Sequence, residues 1–213
     1  MKQFICFLLL CCCTHPGISQ INIMDAATLS QDIKRNTDCV KREEKIEFNV
    51  NDIDNARLTV HQVFTVLDAE GEDALYFVKY SDQFTKLVDA EIKVFDANGK
   101  SINKYKMKEL NSRATGDGLV PDGKVYYFRV AAPSFPITVQ FDYEMKYRGT
   151  LNYPDYRIQL PGQSVEHSSY TVSIPSNLDL RYQPQNTSIK PVVAEKGKNK
   201  IYTWQVINGV DRR

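Results

Sequence analysis

The chain has 213 residues, of which 42% are hydrophobic and 25% charged, a composition typical of a globular protein and not of a disordered one. Its 27 basic and 26 acidic residues nearly cancel, so no overall field would attract nucleic acid or an anionic membrane. We therefore expect no nucleic-acid partner.

The first nineteen residues have the pattern of a signal peptide. Lys2 supplies a positive start, and Phe4 to Cys13 form an apolar run of roughly ten residues, too short to span a bilayer. Gly17 and Ser19 are small residues at the positions that a signal peptidase reads, which predicts cleavage between Ser19 and Gln20. We expect an exported protein, periplasmic or at the cell surface, with no membrane span left after cleavage.

Cysteine usage follows from this assignment. Four of the five cysteines lie in the predicted signal segment, so the mature chain keeps only Cys39. An intramolecular disulfide is then impossible, and the fold must depend on its apolar core.

After the signal segment, the pattern predicts one short helix and then strands. The helix would run from Ala26 to about Arg35, with Asp25 as its N-cap. Strand signals begin at Glu44. The predicted organisation is therefore an N-terminal segment at 20–43, a β-domain at 44–208 and a tail at 209–213.

Residues 87–106 predict a β-hairpin. Apolar and charged residues alternate up to Val94, and Asn98-Gly99 is the usual pair for a two-residue type I′ turn, in which both residues have positive φ. Four lysines between residues 100 and 108 then mark a solvated edge strand, because lysines discourage pairing at an exposed edge. An anion-binding patch is the alternative for these lysines.

The rest of the chain predicts a loop followed by more strands. Residues 111–124 are rich in glycine and predict the loop. Residues 137–148 alternate over twelve positions, as in an antiparallel sheet with one buried face. Shorter strands are predicted near 156–160, 165–174, 187–194 and 200–207. The whole pattern predicts an all-β fold, an antiparallel β-sandwich with one short helix near the mature N-terminus.

Groups that could perform nucleophilic catalysis are few. Cys39 is predicted to precede the strands, while His61 and His167 fall within them. Ser168 follows His167 directly, but adjacent residues of a strand point to opposite faces. We expect no triad-like grouping around either histidine and no catalytic residue.

Metal and cofactor motifs are missing from the sequence. Asp52 and Asp54 have the spacing of a calcium loop, but the ligand and the glycine that should follow are not there, so a polar turn is predicted. Asp117 and Asp122 are explained by the turn chemistry of the loop. There is no zinc motif and no nucleotide-binding glycine loop, and we expect neither metal nor cofactor.

Tyr153 and Tyr156 are the candidate ligand-binding residues. They lie in the polar segment RGTLNYPDYRI, and rings on an exposed loop can stack against sugars or peptides. The alternative is that both rings pack over the end of the sandwich as a plug.

Three segments of the chain occur in an order that is typical of one family. They are NTDCVKREEKIEFNV, FTVLDAEG and VKYSDQFTKLVDAEIKVFDANGKSINKYKMKEL, with looser matches at Pro136 and from Tyr170 to Pro175. Together they resemble a domain of unknown function that typically precedes transglutaminase-like domains in exported bacterial proteins. The resemblance covers roughly residues 30–208.

This resemblance implies a β-sandwich module and not a catalyst. The transglutaminase-like domain of such proteins would follow the last strand and is absent from this sequence. We expect an exported, non-catalytic module that binds a protein or glycan, or serves as a scaffold, in the bacterial envelope, as an accessory to a transglutaminase-like or peptidase-like partner. The alternatives are an envelope hydrolase or transferase with an unrecognised site, and a surface-assembly subunit that pairs through a strand edge.

Overall fold

The computed structural model describes residues 22–115, 123–149 and 153–209. The predicted signal segment, with its Ser19–Gln20 cleavage site, lies outside these residues. Among the described residues, none of the helices has the length and apolar character needed to cross a membrane.

Short 3₁₀ helices occupy Ala26–Thr28, Ala69–Leu75 and Met107–Glu109. The strands are β1 Cys39–Asp52, β2 Asn55–Val66, β3 Tyr76–Ser81, β4 Thr85–Phe95, β5 Ser101–Lys106, β6 Asn111–Thr115, β7 Gly123–Arg129, β8 Ile137–Tyr147, β9 Gln163–Pro175, β10 Val192–Lys196 and β11 Asn199–Gly209.

Two sheets form the fold, and the all-β prediction is confirmed. The large sheet has eight strands in the order β10-β11-β9-β1-β2-β8-β4-β5, and the small sheet has the order β3-β7-β6. One pairing departs from the predicted antiparallel arrangement, because β1 and β9 run parallel. More than a hundred residues separate these two strands, so the chain has ample length for the crossover that a parallel pair needs.

The core lies between the facing sides of the two sheets. Phe77 of β3 packs against Phe141 and Tyr143 of β8, with ring centroids 5.7 and 5.6 Å apart. Along β8 the residues with odd numbers point inward, as the predicted alternation requires. Burial of these apolar faces is the main driving force for the fold.

The N-terminal segment covers part of the opposite, outer face of the large sheet. Leu29 and Ile33 pack on Val40 of β1. Next to them a bulge in β1 displaces Arg42, whose buried guanidinium donates to the carbonyl oxygen of Asp25 at 3.1 Å and to the hydroxyl of Thr28 at 2.7 Å. The same guanidinium pairs with Glu166 of β9.

The predicted helix in this segment is shorter than expected. Asp25 is its N-cap, as predicted, and accepts from the backbone N–H of Ala27 at 2.8 Å. The helix ends at Thr28 and not near Arg35, because Thr28 and Arg42 both donate to the carbonyl oxygen of Asp25. An α-helix would need that oxygen for the N–H of Leu29, which bonds to Ala26 instead.

The predicted start of the β-domain at residue 44 falls inside β1. This strand begins at Cys39, so the prediction that Cys39 precedes the strands is wrong. The pattern concealed the strand because four charged residues follow one another from Lys41 to Glu44. The bulge at Arg42 breaks the alternation at the same point.

The predicted hairpin is present between β4 and β5, but its turn is not of type I′. Only Gly99 has positive φ, at 75°. The N–H of Gly99 donates to the carbonyl oxygen of Asp96 at 2.9 Å, and the carboxylate of Asp96 accepts from the N–H groups of Asn98 and Lys100. Asp96 therefore begins a longer turn. Its carboxylate accepts the N–H groups of Asn98 and Lys100, and this stabilises the longer turn in place of a two-residue one.

Other predicted boundaries are corrected further along the chain. Part of the predicted loop 111–124 is strand, in β6 and at the start of β7, and residues 116–122, with Asp117 and Asp122, lie outside the described residues. Residues 156–160 form no strand. The strand predicted at 187–194 begins only at Val192, after Pro191, which cannot donate to a ladder.

The turn at Gly99 contacts the N-terminal segment, which gives a test of this packing. A Cβ at residue 99 would lie 2.6 Å from the Nδ2 of Asn22 and 2.8 Å from the backbone nitrogen of Asp25. Gly197, in the β10–β11 turn, also has positive φ, but a Cβ there would meet nothing within 4 Å. Gly197→Ala should therefore lower the free energy of unfolding by about 1 kcal/mol, and Gly99→Ala by about 1 kcal/mol more. Urea denaturation measures the free energy of unfolding of both variants. Equal decreases in the two variants would contradict the close approach of residues 22–25 to Gly99.

Candidate binding cleft on the inner face of the large sheet

Tyr153 and Tyr156 lie in an extended segment, 153–160, that crosses the inner face of the large sheet. The ring of Tyr153 meets Phe48 of β1 edge-on, with centroids 5.0 Å apart. The ring of Tyr156 lies 5.4 Å from Tyr170 of β9, and its hydroxyl is 2.8 Å from that of Ser168. Both tyrosines therefore hold the segment against the sheet, and both also line a cleft.

The cleft lies between this segment and a second one, residues 178–189. Its volume is about 830 Å³. Its floor is formed by inward-facing residues of β9 and β11, including Tyr170 and Trp204, and polar side chains surround the opening. Apart from tyrosines, the polar lining residues are Asp155, Arg157, Gln159, Arg181, Gln183, Gln185, Asn186 and Thr187.

Trp204 is at the centre of the aromatic floor and is the only tryptophan in the chain. Tyr170 stacks on it with centroids 5.6 Å apart, and Tyr182 meets it edge-on at 5.2 Å. Trp204 is 9% exposed and Tyr170 6%, whereas Tyr182 is 47% exposed. Tyr182 of the second segment therefore covers part of the Trp204 ring and is itself about half exposed.

A buried carboxylate, that of Glu44 in β1, lies beneath the first segment. It accepts from the Nζ of Lys41 at 2.8 Å, from the Nε2 of Gln62 at 2.7 Å and from the hydroxyl of Ser168 at 2.5 Å. Since the single proton of Ser168 goes to Glu44, the hydroxyl of Tyr156 must donate to Ser168. The side chains of Lys41 and Glu44 are only 5% and 3% exposed, so the pair is almost wholly removed from water.

Lys41 extends this network to the backbone of the cleft wall. Its ammonium also donates to the carbonyl oxygens of Arg157 at 3.2 Å and Ile158 at 3.0 Å. Burial raises the pKa of Tyr156 to about 12, so its hydroxyl remains a donor throughout the neutral range. The network thus fixes the segment 153–160 at three points, although the segment has no strand hydrogen bonds of its own.

A second basic residue joins the two sheets near this network. The Nζ of Lys79 in β3 lies 4.2 Å from the ring centroid of Tyr143 in β8. Burial lowers the pKa of Lys79 to about 8, while the charge of Glu44 acts in the opposite direction. The ring of Tyr143 offers the ammonium a cation–π contact between the layers.

Both histidines lie within strands, as predicted, but His61 has carboxylate neighbours that were not expected. His61 of β2 lies on the outer face, with its Nδ1 2.6 Å from a carboxylate oxygen of Asp142 and its Nε2 3.5 Å from one of Glu43. No local pattern in the sequence indicates this grouping, because it depends on which strands become neighbours. Both ring nitrogens face carboxylates, so neither is left to take a proton from a hydroxyl or thiol. His167 is exposed on the same face of β9.

The two carboxylates beside His61 titrate at lower pH than usual. Burial alone would raise the pKa of Asp142, but hydrogen bonds from His61 and Gln140 outweigh it and the pKa is lowered. For Glu43, burial is likewise outweighed by the hydrogen bond from Lys45, together with the charges of Lys45 and His61. Both groups therefore remain ionised near neutral pH, as members of a surface ion-pair network.

Cys39, the one cysteine among the described residues, is not reactive. Cys39 is buried at the start of β1, and burial raises the pKa of its thiol to about 12. A thiol must ionise to act as a nucleophile, so Cys39 is inert at neutral pH.

The described residues contain no group of three or more histidine, cysteine, aspartate or glutamate side chains that could hold a metal ion. Asp52 accepts from the N–H of Ile53 at 2.7 Å, in the turn between β1 and β2, as the polar-turn prediction requires.

Comparison with protein families identifies the chain. The model of DUF3857, a domain of unknown function with solved structures, matches residues 54–209. The chain belongs to this family. The predicted resemblance to a domain of unknown function is thus confirmed. The comparison with curated protein sequences gave no match.

Solved structures share the fold of this DUF3857 chain at low identity. The "putative protease" of Parabacteroides distasonis has a TM-score of 0.66 and 12% identity, over 83% of this chain and 37% of that one. A "putative nutrient binding protein" of Legionella pneumophila has a TM-score of 0.41 and 12% identity, over 81% and 64%. An M1 zinc metallopeptidase of Deinococcus radiodurans has a TM-score of 0.31 and 9% identity, over 79% and 39%. The first likeness shows a common fold, and the other two are too distant to support an inference.

The buried ion pair makes a quantitative prediction for the DUF3857 domain. Lys41→Met leaves the carboxylate of Glu44 buried without its counter-charge and should lower the free energy of unfolding by about 3 kcal/mol or more. Adding Glu44→Gln removes the stranded charge, while its amide oxygen can still accept from Ser168 in place of one carboxylate oxygen. The double variant should therefore recover at least about 1 kcal/mol relative to Lys41→Met alone.

Urea denaturation at pH 7 measures both variants. Lys45→Met, which removes a lysine from an exposed pair in the same strand, is the matched control and should change stability by less than about 1 kcal/mol. The single variant Glu44→Gln is measured as well. A loss of unfolding free energy in the double variant equal to the sum of the two single losses would show that the pair is not coupled.

Proposed function

We propose that this DUF3857 domain is a non-catalytic binding module whose cleft holds an extended peptide. The observation that carries the proposal is the cleft between segments 153–160 and 178–189, with its aromatic floor and its rim of amide and guanidinium groups. A concave site that combines aromatic side chains with convergent polar groups is a common form of ligand site.

The chemistry of the cleft favours a peptide over a glycan. A sugar stacks on a free ring face, but the faces of Trp204 and Tyr170 are already turned to each other and are nearly inaccessible. The rim supplies side-chain amides, at Gln159, Gln183 and Gln185, which can pair with the donors and acceptors of a peptide backbone. Apolar side chains of the peptide can pack on Tyr182, the exposed ring of the cleft.

The setting that we propose is the bacterial envelope after export. The leader pattern of residues 1–19 supports it, as does the resemblance to domains that precede transglutaminase-like domains. The module would then present a peptide segment to a transglutaminase-like or peptidase-like partner. The fold likeness to a "putative protease", of whose length this chain spans 37%, is compatible with such an accessory position.

A catalytic role is the weaker proposal. Cys39 is buried with a raised thiol pKa, and both nitrogens of His61 face carboxylates. Ser168 donates its proton to Glu44, whose charge is balanced by Lys41, and no imidazole lies on that face in the described residues. These groups hold the cleft wall and give no activated nucleophile.

Peptide selection followed by fluorescence tests the proposal. The purified protein is immobilised and exposed to a phage-displayed library of random dodecapeptides, and the enriched peptides are synthesised and titrated while the emission of Trp204 is recorded. We expect saturable changes in emission. Tyr182→Ala should weaken binding roughly tenfold, because it removes the exposed ring at the mouth of the cleft.

Tyr76→Ala is the matched control, since Tyr76 is 50% exposed and lies on the small sheet away from the cleft. It should leave the affinity unchanged. No enriched peptide, or saturation by peptidoglycan fragments in place of peptides, would overturn the peptide proposal. In parallel, amine-incorporation and peptidase assays should give no turnover above background. Turnover that Cys39→Ala or His167→Ala abolishes would favour an enzyme instead.

A further inference from the structure

The two edges of the large sheet are protected very differently. At one edge, β5 carries lysines, among them Lys104, which pairs with Glu91, and the ring of Tyr105 packs on Phe128 of the small sheet. At the other edge, β10 is exposed along its whole length, with Val192 73% and Val193 52% exposed. Proteins usually block a free edge with charges or bulges, and exposed valines on an edge favour pairing with another strand.

The turn between β10 and β11 determines which backbone groups of β10 are free. It has two residues, with Gly197 at φ 64°, and Lys196 pairs with Asn199. In such a hairpin the closing pair is hydrogen-bonded, and every second residue along the strand then bonds to its partner strand. Lys196, Ala194 and Val192 thus bond to β11.

Val193 and Glu195 therefore direct their N–H and C=O groups outward. No hydrogen bond reaches these four groups from the described part of the chain. They form a short, regular ladder that only another extended backbone can satisfy.

We propose that a second copy of this chain pairs with β10, antiparallel, about a two-fold axis at Ala194. In this register Val193 lies opposite Glu195 of the second copy. On the other side of the axis, Glu195 lies opposite Val193 of the second copy. Each of these pairs exchanges two hydrogen bonds, so all four free groups of each copy are satisfied by the other. The pairing continues the two large sheets into one.

Side chains fit the same register. Ala194 faces its own copy at the axis, where the backbones are close and a small side chain is needed. Lys196 faces Val192 of the second copy, so no like charges lie directly opposite each other. The one unfavourable contact is diagonal, between the two Glu195 carboxylates.

The occupant is a second copy because the edge is complementary to itself in both hydrogen bonds and length. The interface is isologous, and the far edge of each sheet, β5, carries the lysines described above. Pairing therefore closes at two copies and does not propagate into a fibre.

Sedimentation velocity over a range of protein concentrations tests the proposal. The wild-type protein should shift from monomer to dimer as concentration rises. Val193→Pro should remain monomeric, because it removes an outward N–H without removing a bond to β11, and its melting temperature should stay near that of the wild type. Glu195→Gln should tighten the dimer about two- to fivefold by removing the diagonal repulsion.

Matched lysine substitutions at the two edges complete the design. Val193→Lys should prevent dimerisation even if Val193→Pro does not fold, whereas Ile102→Lys, which replaces a 40% exposed residue of β5, should have no effect. A wild-type protein that stays monomeric at every concentration would overturn the proposal. A Val193→Lys variant that still dimerises would also overturn it. So would an equal loss of dimer affinity in Val193→Lys and Ile102→Lys.

Discussion

The buried carboxylate of Glu44 is the constraint on which the cleft depends. A charge removed from water must be compensated, and Lys41, Gln62 and Ser168 together do so. Because Lys41 also donates to two carbonyl oxygens of the segment 153–160, the same ion pair that must be satisfied for folding also positions the cleft wall. Stability and binding geometry are therefore set by the same group of side chains.

A similar arrangement holds the N-terminal segment on the outer face. Arg42, displaced by the β1 bulge, donates to Asp25 and Thr28 and pairs with Glu166. Two consecutive stretches of β1 thus anchor two non-strand segments on opposite faces of the sheet. The charged residues from Lys41 to Glu44 replace the usual alternation, and each of these four has a defined partner.

The features that could be predicted from the sequence are those set by residues close together in the chain. The alternation of β8 and the hairpin between β4 and β5 were predictable, because each is a local pattern of period two or a local turn. β1 was not predictable over Lys41 to Glu44, since Lys41, Arg42 and Glu44 are buried only through contacts with β2, β9, the N-terminal segment and the segment 153–160. Tyr153 and Tyr156 were predicted as ligand-binding residues from their loop context, and both line the cleft. Their packing partners, and the approach of His61 to Asp142, require the long-range strand order.

Limited trypsin digestion tests most directly whether the Glu44 pair positions the cleft wall, because Arg157 is an exposed cleavage site within that wall. Cleavage needs a segment that can leave the surface, so the rate at Arg157 reports its attachment. We expect Lys41→Met/Glu44→Gln to be cut after Arg157 well before the wild type, while cleavage sites within the strands stay protected. An unchanged rate at Arg157, or a rise at every site together, would contradict this expectation.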